Sequence, residues 1–142
     1  MRLWLDTEFN GFGGPLISLA LCADDGREFY QVVRCERPVP WVAENVIPVL
    51  RKSPLPGGEL ELAEKLREFL NQFDVCRIVA DWPDDVALFC RALIVGPGQR
   101  IQSPPLFFEL AYDLPSTADI SKVPHNALED ARALRKFGKD RP

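Results

Sequence analysis

The chain has 142 residues, 46% of them hydrophobic and 27% charged, which fits one soluble domain able to bury about two-thirds of its unfolded surface. With 17 Lys and Arg against 21 Asp and Glu, its net charge of −4 argues against holding a polyanion by charge surplus alone. No apolar run approaches the roughly 20 residues of a membrane span, and four scattered cysteines without a Cys-x-x-Cys pair read as reduced thiols, so a cytoplasmic protein with no membrane attachment is expected.

Arg2 to Asp6 is a short, mostly apolar strand that follows the N-terminus at once, where a signal sequence would read differently. Beyond the glycine-rich stretch Gly11 to Pro15, Leu16 to Ala23 is a second strand, and Asp24-Asp25-Gly26 is a hairpin turn. Arg27 to Arg34 is rich in aromatic and β-branched residues and gives a third strand. Prolines at 38, 40, 48, 54 and 56 break Cys35 to Gly58 into a loop with at most one short helix around Trp41 to Leu50.

From Glu59 the period changes, and Leu62, Leu66, Phe69, Leu70 and Phe73 recur at helical spacing. Val75 to Ala80 is short and apolar, as suits a buried central strand, and Pro83 then occupies a first helical turn. The next helix spans Asp84 to Val95 and ends at Gly96-Pro97-Gly98; Leu106 to Leu110 is a fifth strand, and Asn126 to Phe137 is the last helix. Three antiparallel strands, then helix, strand, helix, strand and helix, describe a ribonuclease H-like α/β fold: a mixed five-stranded sheet with helices on both faces. One domain is expected over 1–138, with 139–142 a short tail and the only stretch open to disorder.

Asp6 and Glu8 lie two apart on extended chain, so both side chains leave one face, with Cα atoms about 6 to 7 Å apart. An isolated Asp-x-Glu is usually a solvated turn. Here the pair follows Leu3-Trp4-Leu5, and carboxylates ending a strand buried on both faces need a partner such as a metal ion. On the last helix, Ala127, Ala131, Leu134 and Phe137 form an apolar sector that contains Asp130. A carboxylate there is costly unless a cation, an arginine such as Arg132 or a backbone amide compensates it. His125, the only histidine, stands on the loop entering that helix, and its ordinary pKa near 6.5 suits removal of a proton from water at neutral pH. Asp81, Asp84 and Asp85 cluster past the central strand, where helix capping alone also accounts for acids. If Asp6, Glu8, Asp130 and one of these acids bind two divalent cations, the −4 is cancelled, and the acidic balance loses most of its weight against a nucleic-acid substrate.

These motifs resemble those of the DEDDh exonucleases of the DnaQ-like superfamily, and within it the short bacterial 3′-to-5′ exoribonucleases. Leu5-Asp6-Thr7-Glu8-Phe9 matches the first motif and His125-Asn126-Ala127-Leu128-Glu129-Asp130 the third. Asp85 followed by Val86, Leu88 and Phe89 fits the second best, although Asp84 stands where an aromatic is common; Asp81 is the runner-up. The likeness covers Arg2 to about Phe137. It implies two Mg²⁺ or Mn²⁺ ions held by Asp6, Glu8, Asp85 and Asp130, with His125 as general base, releasing nucleoside 5′-monophosphates from the 3′ end of single-stranded RNA. It also implies that Thr7, Phe9 and Asn10 touch the terminal nucleotide, Phe9 by stacking on a base; Trp82 and Phe12 have less support. Many family members dimerise, but no residue pattern marks an interface. The rival readings are a 3′-5′ DNA exonuclease, since no motif reports a 2′-hydroxyl, and a non-catalytic nucleic-acid-binding module.

Overall fold

The computed structural model describes residues 1–142. Strands β1 (Arg2–Phe9), β2 (Leu16–Ala23) and β3 (Glu28–Val32) come first, followed by helix α1 (Pro40–Asn45), a 3-10 turn at Ile47–Val49 and helix α2 (Gly58–Leu70). Strand β4 (Cys76–Ala80), helix α3 (Pro83–Ala92), a small hairpin of β5 (Ile94–Gly96) and β6 (Gln99–Arg100), strand β7 (Leu106–Leu110), helix α4 (Thr117–Ile120) and helix α5 (Ala127–Gly138) complete the chain. The main sheet has the order β3-β2-β1-β4-β7; β1 to β3 pair antiparallel, whereas β4 runs parallel to both β1 and β7. This is the expected mixed five-stranded α/β sheet, consistent with a ribonuclease H-like fold.

The two-residue alternation of β1 divides the core. Leu3 and Leu5 join Leu19, Leu21, Ile78 and Ala80 beneath α2 and α3, against Leu62, Leu66 and Phe89. Trp4 faces the other way and joins Ala20, Cys22 and Val79 beneath α5, against Ala127, Ala131 and Leu134. Helices therefore cover both faces. The C-terminal ends of the parallel neighbours β1 and β4 open between these layers, where α/β sheets commonly place ligands.

At Gly138 the α5 backbone passes so close to the Trp4 indole that an added Cβ would lie 2.2 Å from its Cη2. The same indole donates from Nε1 to Asp24 Oδ1 at 2.7 Å, which ties the sheet to the β2–β3 turn.

The structure differs from the sequence expectation in four places. Strand β1 continues through Phe9, so Asp6 and Glu8 lie within it rather than at its close, because β2 pairs with it as far as Phe9 opposite Leu16, with a register shift after Glu8. Helix α3 stops at Ala92, since residues 94–100 form the β5–β6 hairpin, whose turn holds Gly98 at φ +63°. Helix α4 fills part of the stretch without a legible pattern. Residues 139–142 are tied down: the Arg2 guanidinium donates to the carbonyls of Lys139 and Arg141, and Arg141 pairs with Glu109 and Asp113.

Candidate metal centre

Asp6 leaves the α5 face of β1, with Glu8 one pleat further along. From the opposite layer, α5 brings Asp130 to them, and carboxylate oxygens of Asp6, Glu8 and Asp130 all lie within 4.8 Å of one another. Oxygens of Asp6, Asp81 and Asp85 form a second group within the same limit. Asp6 belongs to both, so five acids converge on the open end of β1 and β4, and none pairs with a Lys or Arg side chain.

Helix geometry decides between the adjacent aspartates of α3. Asp85 and Phe89 are one turn apart and both buried, so Asp85 faces inward; Asp84, about 100° away, instead accepts from the Trp82 indole Nε1 at 3.2 Å. Asp81, the runner-up of the sequence, is half-buried and stands in the cluster alongside Asp85 rather than in its place.

Thr7 points to the other face of β1 and is buried. Its hydroxyl donates to Asp85 Oδ1 at 2.6 Å and its N–H to the same atom at 3.2 Å, so this side chain orients a carboxylate. Asn10 is similarly engaged: its amide donates to the Arg37 carbonyl at 2.8 Å and accepts from the Val39 N–H at 2.8 Å, clamping the proline-rich loop. Phe9 remains partly exposed in a groove with Gly13, Gly14 and Leu88. Phe12 is fully exposed and Trp82 largely so.

His125 adopts φ +72°, a left-handed conformation rare for a residue with a Cβ. That turn directs its N–H to Asp130 Oδ2 at 3.1 Å, while Asn126 caps α5 by accepting from the Glu129 N–H at 3.0 Å. The imidazole meets Trp41 edge-on, with ring centroids 4.9 Å apart. Sequence reasoning missed Trp41, because it stands in a proline-broken segment with no period to reveal which way it faces.

Crowding and burial push the carboxyls towards their protonated forms. Burial raises Asp6 well above the ordinary range, and the charges of Asp85, Glu8, Asp130 and Asp81 add to it. Glu8 is pushed up to about 9 by burial and then by Asp130 and Asp85. Asp85 reaches about 7 through burial, held back by the Thr7 hydroxyl, and Asp130 about 6, held back by Ser121 and the His125 N–H. Burial also raises Asp81. Like charges gathered in a poorly solvated cleft cannot all ionise without cations. Asp6 Oδ2 and Asp130 Oδ1 are buried with no hydrogen-bond partner, which fits a cation as their missing partner.

No protein-family model matches the chain. Two curated proteins from separate strains of Mycobacterium tuberculosis, each named 3′-5′ exoribonuclease, are 33% identical to it over 160 aligned residues, covering 96% of this chain and 91% of each relative. The chain belongs to this 3′-5′ exoribonuclease family. In this family member no helix is long and apolar enough to cross a membrane.

Proposed function

We propose that this protein is a DEDDh-type 3′-5′ exoribonuclease that depends on two divalent cations, Mg²⁺ or Mn²⁺, and releases nucleoside 5′-monophosphates from the 3′ end of single-stranded RNA in the cytoplasm. The observation that carries the reading is the buried set of five converging carboxylates with unpartnered oxygens on Asp6 and Asp130, in a chain whose relatives are named 3′-5′ exoribonucleases. Asp6, Glu8 and Asp130 would hold one cation, and Asp6, Asp85 and Asp81 the other. When bound, the cations supply Lewis-acid polarisation of the scissile phosphate and charge neutralisation around it.

The protein's own groups divide the remaining work. Thr7 fixes the Asp85 carboxylate through two donors, as groups behind metal ligands commonly do. The His125 backbone N–H orients Asp130, and a ring nitrogen of His125 takes the proton from the attacking water. The water oxygen bonds to phosphorus as the bond to the 3′ oxygen breaks, leaving a 3′-hydroxyl on the shortened chain and a 5′-monophosphate as product. Phe9 offers a ring to the terminal base.

The test is a time course on 5′-labelled single-stranded RNA and the matching DNA, in Mn²⁺ and in EDTA, beside Asp6→Ala. A metal-dependent ladder receding from the RNA 3′ end, absent in the variant, is expected. Equal cutting of DNA would make the protein a general exonuclease, and no cutting of either would refute the proposal. His125→Ala should lose most activity yet keep metal binding, whereas Asp6→Ala loses both; equal Mn²⁺ affinity in the two would contradict this division.

A further inference from the structure

The acidic chain gathers much of its positive charge in one place. A groove along the outer side of α5, reaching α4 on one flank and the β2–β3 turn on the other, is lined by Arg2, Lys122, Arg132, Arg135, Lys136 and Lys139. Those are six of the 17 Lys and Arg of a protein whose net charge is −4. Three acids share the groove, and two of them are already engaged. Asp24 is paired with Arg2 at 2.8 Å, and Glu129 with Arg132 at 2.8 Å and Arg51 at 3.2 Å. Lys122, Lys136 and Lys139 are exposed and pair with no carboxylate, so their ammonium groups remain available; Asp140 is the one acid left to oppose them.

The groove shares helix α5, and the loop that enters it, with the candidate site. Helix α5 presents Asp130 to the metal cluster from its inner side and Arg132, two residues and about 200° further round, to the groove from its outer side. Lys122 stands three residues before His125 on the same loop. A helix of 12 residues is about 18 Å long, which matches about five stacked nucleotides at 3.4 Å each.

We propose that this groove carries the sugar-phosphate backbone of the RNA on the 5′ side of the nucleotide being removed, so that the outer face of α5 holds the substrate whose end its inner face helps to cut. The assignment rests on the exoribonuclease reading given above. It also accounts for how an acidic protein with an acidic reaction centre holds a polyanion longer than one or two residues.

The test compares wild type, the triple variant Lys122→Gln/Lys136→Gln/Lys139→Gln and the control Lys65→Gln, whose lysine lies on α2. Fluorescence anisotropy in EDTA with a labelled single-stranded RNA dodecanucleotide reads the groove. Hydrolysis of a ribodinucleotide in Mn²⁺ reads the reaction centre. The triple variant should bind the dodecanucleotide at least ~10-fold more weakly, and the slope of log affinity against log salt should shrink by about 2, as expected for three lost phosphate contacts on a single strand. Its dinucleotide hydrolysis should be unchanged, and Lys65→Gln should match wild type in both assays. Unaltered affinity and salt slope in the triple variant, an equal loss in Lys65→Gln, or no binding by wild type would each overturn the groove assignment. Salt-dependent binding by wild type, lost in the triple variant but accompanied by no hydrolysis of either RNA, would leave the groove standing and sink the exoribonuclease reading.

Discussion

Asp85→Asn should stabilise the metal-free protein at alkaline pH and not at acidic pH. The substitution keeps an oxygen that can accept from the Thr7 hydroxyl while removing a charge from a buried site. The Asp85 carboxyl is raised from 3.8 to about 7, chiefly by burial. Well below pH 4 the group is protonated in folded and unfolded chains alike, and at pH 4 the wild type still suffers under about 1 kcal/mol of penalty. As pH rises through 7 the folded state must ionise a group that ionises freely when unfolded, and that part of the stability is lost. Three pKa units at 1.36 kcal/mol each make the full penalty about 4 kcal/mol, complete by pH 8. At 2–4 °C per kcal/mol for a domain near this size, Asp85→Asn should melt roughly 8–16 °C above wild type at pH 8 in EDTA, and within a few degrees of it at pH 4. Mn²⁺ at a hundredfold excess over Kd should narrow the gap at pH 8 to roughly 1 kcal/mol, because wild type gains about 2.7 kcal/mol while the variant has lost a ligand. Scanning calorimetry at the two pH values, with and without Mn²⁺, reads all three comparisons. A difference between the proteins that does not change with pH would refute the burial argument, and equal stabilisation by Mn²⁺ would remove Asp85 from the ligand set.

Thr7→Val removes the 2.6 Å donor to Asp85 Oδ1 at nearly constant volume, and should weaken Mn²⁺ binding about 10- to 100-fold by isothermal titration while the fold persists; unchanged affinity would show that Asp85 is held by other means. Trp41→Ala frees the His125 ring from its edge contact and should lower turnover about 10- to 100-fold with little change in Mn²⁺ affinity, a split that a general loss of structure would not give. Gly138→Ala drives a methyl into the Trp4 ring and should cost about 1–3 kcal/mol in urea unfolding, whereas full stability would mean that α5 can shift outward freely.

The amino-acid sequence determined the periodic parts of this protein by itself. Strand alternation put Leu3 and Leu5 on one face and Trp4 on the other, and helical spacing placed Asp130 on the core side of α5 beside Ala131 and Leu134, as the structure has them. The order of elements carried the mixed sheet, because the Asp24-Asp25-Gly26 turn enforces an antiparallel hairpin and a helix between strands enforces a crossover. Only the tertiary structure decided what lies beside what. Asp81 and Asp85 both reach Asp6 because β4 and the first turn of α3 end next to β1, a neighbourhood set by long-range sheet pairing that no local period encodes. The internal ties of Thr7 and Asn10 were hidden for the same reason: their partners, Asp85 and the Arg37–Val39 loop, are 78 and nearly 30 residues away in the chain. Trp41 against His125, and Arg2 on the C-terminal residues, likewise depend on segments that meet only after folding, where burial and hydrogen-bond geometry outweigh anything a side chain signals to its sequence neighbours.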